Sequence, residues 1–226
     1  MKRSNMRSIV RRRLLDEGAR QRFSDGDINT MLNVGAQQVQ GAIDQINKNA
    51  FRKTELRNLV ADEYRYAKPR GILRLKKFYL DYDGDGTYVA AKPTTEEMIE
   101  DPVKVTQLRD QGGSYFVFSG GEFLIFPTPA EDATDGIKIV TVPVLAMDDD
   151  DDDLEDMGLV ESLHMAVVLW AVKLLLPEDS EDTKMVEAEI AKIMEVAVPV
   201  YAGAGITGAL EYVSVVGIGG ELGGVP

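Results

Sequence analysis

One stretch limits the fold more than any other: LVESLHMAVVLWAVKLLL, residues 159–176. Read as a helix, it is apolar on nearly every side instead of along one stripe, so it must be buried all round. Pro177 ends it, because proline breaks a helix interior. A further helix over 180–198 follows after a tight connection, which sets the two antiparallel. Its stripe is Val186, Ile190, Ile193, Met194 and Ala197. Something else must cover the remaining sides of 159–176.

The start of the chain supplies two amphipathic helices. Residues 5–17 place Met6, Ile9, Val10 and Leu14 on one stripe, with Arg3, Arg7, Arg11, Arg12 and Arg13 mostly off it, and Gly18 as the stop. A second helix starts after Ser24, a capping residue followed by Asp25 and Asp27, whose charges suit the positive end of the dipole. Its apolar face runs Ile28, Met31, Leu32, Val39, Ala42, Ile43, Ile46. The rest of that helix is rich in Asn and Gln, which fits a polar contact surface or plain solvation.

Between these helical pairs the period changes from helical towards two. Runs 55–60, 64–67, 72–80, 87–91 and 137–145 read as strands, with 94–100 as a short helix and 102–113 as irregular. The clearest β signal is YFVFSGGEFLIFPTP, residues 115–129, which holds four of the chain's 7 Phe. Two aromatic runs joined by a Gly-Gly turn make a hairpin, and Pro127 and Pro129 stop the second strand. The fold class is therefore α+β: an antiparallel helical bundle of two N-terminal and two C-terminal helices, with an inserted β-rich subdomain and an extended C-terminal tail. The expected divisions are 1–50 for the N-terminal helices, 51–153 for the insertion ending in an acidic loop, 154–198 for the C-terminal helical hairpin and 199–226 for a Gly-rich docking tail.

Charge is unevenly spread. Residues 1–80 carry 18 Lys and Arg against 8 Asp and Glu, whereas residues 81–226 carry 7 against 30. Such segregation favours head-to-tail contacts or a basic face set against an acidic partner, unless the two regions are separately solvated. Arg3, Arg7, Arg11, Arg12 and Arg13 are the candidate basic contact residues, towards an acidic protein or towards phosphates. Asp148, Asp149, Asp150, Asp151, Asp152 and Asp153 form an unbroken acidic run, expected to be extended and exposed because like charges repel. The tail holds 8 of the 21 Gly and the strand-like run 210–218. Leu210, Tyr212, Val213, Val215, Val216 and Ile218 are its candidate partner-binding residues, since a segment of this kind can complete a sheet or groove on another subunit.

Several chemistries find no support. There is no Cys and a single His, His164, so disulfides, thiolate metal sites and His-cluster sites are excluded within one chain. Asp81, Asp83, Asp85 and Gly86 match the first half of a calcium loop, but its twelfth position is Lys92, where a carboxylate is needed. An Asp/Gly-rich turn is the favoured reading. No Ser/His/Asp set, phosphate-cradling glycine loop or paired carboxylates stand out, so no catalytic residue, cofactor or resident metal is expected. No apolar run is long enough to cross a membrane. The basic N-terminus lacks the apolar core and cleavage site of a signal peptide. Synthesis in a cytoplasm is expected.

The order of these segments resembles the head-to-tail adaptor (connector) proteins of tailed bacteriophages. RSIVRRRLLDEGARQRFSDGDINTMLNVGAQQVQ is similar to their N-terminal pair, an arginine-rich helix, a turn with an aromatic and Ser-Asp, and a helix with a mid-helix Asn. Arg65-Tyr66-Ala67-Lys68-Pro69 followed by Ile72-Leu73-Arg74-Leu75 resembles their strand-Pro-strand segment, and the hairpin and the helix 159–176 resemble their counterparts. The resemblance covers residues 5–198. It implies a structural virion protein at the neck, assembled in host cytoplasm as a homo-oligomeric ring, typically a dodecamer, beneath the portal. The ring extends the DNA channel, lets genomic DNA pass without specific binding, and gives tail, stopper or nozzle proteins a platform. Another phage neck or tail ring protein is the alternative within this class. A DNA-binding accessory protein using the N-terminal arginines is the alternative outside it.

Overall fold

A computed structural model describes residues 1–16, 18, 21–178, 180–203 and 213–215. The chain is mixed α+β with two sheets. It divides into two compact units: a helical unit, Met1–Phe51 with Val144–Leu210, and a β-rich unit, Arg52–Pro143 with Glu211–Pro226.

In the helical unit, α1 is Arg3–Arg13, α2 is Asp25–Ile46, α5 is His164–Leu175, entered through a 3-10 turn at Glu161–Leu163, α6 is Glu181–Ala197 and α7 is Pro199–Gly203. The centre is α5, which packs against α1, α2 and α6. Ala166, Val167, Val168, Leu169, Ala171 and Val172 are all buried, so the apolarity of the middle of the helix is matched by cover, while Leu174 near its end is exposed. Met6 and Val10 of α1, Ile28, Leu32, Val39 and Ile43 of α2, and Val186 and Ile190 of α6 are buried as well. The α2–α5 approach is close because Gly35 has no side chain. A Cβ there would lie 2.7 Å from the Val167 carbonyl oxygen and 3.0 Å from the Trp170 Cβ.

The helix ends follow local chemistry. Ser24 and Asp27 form a reciprocal capping box on α2, with Asp27 N–H donating to Ser24 Oγ at 3.1 Å and Ser24 N–H to Asp27 Oδ2 at 2.9 Å. Ser180 caps α6 by accepting from Thr183 N–H at 3.1 Å. Helix α1 stops at Arg13, earlier than the expected limit near Gly18. Asp16, 1% exposed, accepts from the Arg11 guanidinium and from the N–H groups of Arg22 and Phe23. That pull takes the chain off the helical path, with Leu15 in the left-handed region at φ 52°.

In the β-rich unit, β1 is Lys53–Leu59, β2 Arg65–Ala67, β3 Ile72–Leu80, β4 Val89–Ala90, β5 Lys92–Pro93, β6 Tyr115–Ser119, β7 Glu122–Phe126, β8 Ala133–Pro143 and β9 Val213–Val215; helices α3, Glu96–Glu100, and α4, Pro102–Gln111, lie between β5 and β6. One sheet has the order β4-β3-β8-β1-β9 and the other β2-β7-β6-β5. Pairings are antiparallel except β1 with β9 and β5 with β6.

The hairpin β6–β7 is the shared layer. Phe116, Phe123 and Ile125 point into one cluster with Leu59, Tyr66, Phe78, Leu80 and Ile137 of the surrounding strands. Tyr115, Leu124 and Phe126 point the other way, against Ile99 of α3 and Leu108 of α4. Both faces are covered, which is why the two runs are apolar throughout instead of alternating. The register pairs Phe118 with Phe123 and Phe116 with Ile125. Helix α4 replaces the irregular segment expected over 102–113. Its sequence, PVKVTQLRDQ, has no long apolar stripe; it forms because Asp101 accepts from Val103 N–H at 2.8 Å, Pro102 suits a first turn, and Leu108 is buried in the cluster with Val105 packed against it.

Candidate assembly surface

The arginine helix and the acidic run lie together in the helical unit. The Arg7 guanidinium donates to both oxygens of Asp150, at 2.9 and 3.0 Å, a bidentate pair. Arg3 donates to Asp150 Oδ1 at 3.2 Å and to the Met147 carbonyl at 2.5 Å. Lys2 pairs with Asp151 at 2.8 Å, and the Met1 amine pairs with Asp153. Main-chain bonds run alongside: Arg3 N–H donates to Asp152 O at 3.0 Å and Ser4 N–H to Asp150 O at 3.3 Å, with a bridge between Lys2 and Asp153. The run is therefore a compact turn instead of an extended strand. Asp152 ties it by accepting from the N–H groups of Asp148 and Asp149 at 2.6 and 2.7 Å. Opposite charges from residues 1–7 offset the repulsion that would otherwise straighten it.

The protonation equilibria follow these contacts. Hydrogen bonds from Arg7, then Arg3, hold the Asp150 carboxyl below the usual carboxylate range, and the same bond raises Arg7. The bond to Asp151 raises Lys2. Burial acts to raise Asp153, but the Met1 amine and the Glu155 N–H outweigh it and leave the carboxyl lowered. His164 is fully buried; its Nε2 lies 2.8 Å from the Leu159 carbonyl and its Nδ1 2.9 Å from the Met1 amine. Burial pushes its pKa down, so the neutral ring donates from Nε2 and accepts at Nδ1.

The other arginines are placed differently. Arg11 is buried and serves Asp16 at 2.9 Å, the Phe23 carbonyl at 3.1 Å and Asp25. Arg13 reaches Glu189 of α6 at 3.4 Å. Arg12 is exposed. Of the five, then, Arg3, Arg7, Arg11 and Arg13 pair with acids of the same chain, and Arg3, Arg7 and Arg11 are the ones with little exposure.

Elsewhere, Asp81 is 4% exposed, and its two carboxylate oxygens accept from Gly84 N–H at 2.9 Å and Gly86 N–H at 2.8 Å. Asp85 accepts from Thr87 N–H at 2.7 Å, while Asp83 is exposed. The Asp/Gly segment is thus a turn held by its own carboxylates. No group of three or more metal-ligating side chains is gathered among the described residues. In the β-rich unit an apolar cleft of about 430 Å³ opens between α4 and the end of β7, with Arg109 as its charged side chain. Of the tail candidates, Val213 and Val215 fall in β9, parallel to β1, while Leu210, Tyr212, Val216 and Ile218 lie outside the described residues.

Two residues with structural consequence gave only a weak sequence signal. Asn33 clamps Met147 from both sides, donating to its carbonyl at 3.2 Å and accepting from its N–H at 2.9 Å. Gln40, 1% exposed, accepts from Leu145 N–H at 3.0 Å. They stand two turns apart on α2, so the Asn/Gln-rich face is used in part to hold residues 145–147.

Among the described residues no helix is long and apolar enough to cross a membrane. No curated protein matches the chain. A family model described as SU10 adaptor protein matches residues 1–199, from the N-terminus through α6 to the first residue of α7. The arginine helix, the aromatic hairpin and the buried α5 all lie within that match, and the chain belongs to the SU10 adaptor protein family.

Proposed function

We propose that this protein is the head-to-tail adaptor of a tailed-phage virion, a non-enzymatic structural component that forms a ring, a dodecamer, beneath the portal. In this reading α1, α2, α5 and α6 act as one antiparallel bundle. The ring extends the DNA channel at the neck and carries tail, stopper or nozzle proteins on its far side. The observation that carries the reading is the family match over residues 1–199. The tail residues Leu210, Tyr212, Val213, Val215, Val216 and Ile218 engage the portal or a neighbouring subunit. A DNA-binding role for the arginine helix is disfavoured because Arg3, Arg7 and Arg11 are committed to internal carboxylates.

The test is affinity purification of the tagged protein from infected-host lysate with mass spectrometry of its companions. Portal protein together with a tail or stopper protein is the expected recovery. Nucleic acid without virion proteins would overturn the reading. Electron microscopy of the portal complex then counts the subunits.

A further inference from the structure

The arginine helix of an acidic chain is filled by that chain's own carboxylates, and the filling is specific. We infer that segment 148–153 is an internal shield: it occupies the cations of the first seven residues and keeps them from nucleic-acid phosphates. The proposal goes beyond the adaptor reading and concerns the isolated chain as much as any assembly.

The geometry is that of a phosphate contact already made. A bidentate guanidinium–carboxylate pair uses the same paired N–H groups that a guanidinium offers to phosphate. Asp150 takes both such groups of Arg7, at 2.9 and 3.0 Å, and also the Arg3 guanidinium at 3.2 Å. Asp151 takes Lys2. The main chain of the segment is bonded to that of residues 3 and 4, so the carboxylates are held in place by more than charge. The Asp152 side chain closes the turn that presents them. Asp150, Asp151 and Asp153 pair with the Met1 amine, Lys2, Arg3 and Arg7, and the other three aspartates of the run leave the cluster with a surplus of negative charge. Asp148, Asp149 and Asp151 remain exposed at its surface. An approaching phosphate therefore meets carboxylates first, and must displace Asp150 to reach Arg7. Removing the carboxylates while keeping the oxygen acceptors of the turn exposes the cations without unmaking the loop.

The experiment uses the full chain and a short fluorescein-labelled DNA duplex, followed by fluorescence anisotropy at low salt. One variant replaces Asp148, Asp149, Asp150, Asp151, Asp152 and Asp153 with Asn. A charge-matched control carries Asp83→Asn, Asp110→Asn, Glu131→Gln, Glu178→Gln, Asp182→Asn and Glu195→Gln, all at exposed positions. Circular dichroism verifies the fold of each. The shield variant is expected to bind at least about tenfold more tightly than wild type and control, with a log–log salt slope of about −2 to −3 for the cations released. Adding Arg7→Gln is expected to reverse most of that gain. No gain in the folded shield variant, an equal gain in the control, or a gain that survives Arg7→Gln would each overturn the inference. Should the sixfold variant not fold, Asp150→Asn alone is read by the same criteria, with an expected gain of about threefold. Because the assay needs neither portal nor ring, its failure leaves the adaptor reading standing, and the reverse also holds.

Discussion

In the β-rich unit, Phe78 stacks on Phe116 with centroids 4.6 Å apart and meets Phe123 edge-on at 5.2 Å. Segments far apart in sequence are joined there by aromatic faces. In the helical unit, residues 1–7 and 147–153 lie much farther apart in sequence, and charge joins them, through Asp150, Asp151 and Asp153. Aromatic packing gains from area and tolerates small shifts. The ionic contact needs named partners at hydrogen-bond distance and weakens when its carboxylate is protonated or the pair is screened by salt. The two units therefore fail under different stresses.

The largest effect should come from the aromatic side. Phe123→Ala removes a fully buried ring from the layer that both faces cover, and a loss of about 3–5 kcal/mol is expected. Faster amide hydrogen exchange across β6 and β7 would register it; unchanged protection would mean the layer is not the keystone of its unit. Next is Gly35→Ala, which sets a Cβ against the Val167 carbonyl. A cost of about 1–3 kcal/mol is expected, together with a shifted emission from Trp170, the single Trp, whose Cβ is the next neighbour.

Acid should then separate the two units. His164 has a lowered pKa when folded, so the unfolded chain binds its proton first as pH falls below about 6.5. Stability of the helical unit is whole above that value and declines below it, by at most about 1.4 kcal/mol per pH unit. The depressed carboxyls of Asp150 and Asp153 act in the same sense at lower pH, their contribution disappearing as they protonate. Urea midpoints followed by Trp170 emission between pH 7 and 5 measure the first step. His164→Gln is expected to flatten it, and a slope that persists in that variant would assign the effect elsewhere.

These contrasts also explain which features were legible in the sequence. The hairpin was readable because aromatic runs and Gly-Gly carry their own geometry: Gly120 does adopt φ 56°. The buried α5 was readable because a helix without a polar side has one solution. The cap at Ser24 was local and equally plain. Asp16 was not, because its partners lie on a turn whose path Asp16 itself sets. Nor was α4, where a cap and one buried Leu stand in for a stripe. The pairing of arginines with the aspartate run was invisible for a different reason. The charges were conspicuous, but nothing in either segment tells an internal partner from an external one across more than 140 residues. The polar face of α2 was recognised, and its use by the chain's own residues 145–147 depended on the same long-range knowledge.

The clamp on residues 145–147 has a counterpart where the chain leaves the helical unit. Phe51 is buried with its ring 5.9 Å from Tyr201, and Tyr201 in turn accepts from Val160 N–H and donates to the Gly158 carbonyl, each at 3.0 Å. Exit and re-entry are thus each fastened by contacts made within the helical unit. Those fastenings use no residue of the interval 52–143, so a laboratory graft into that interval inherits the same two fixed posts.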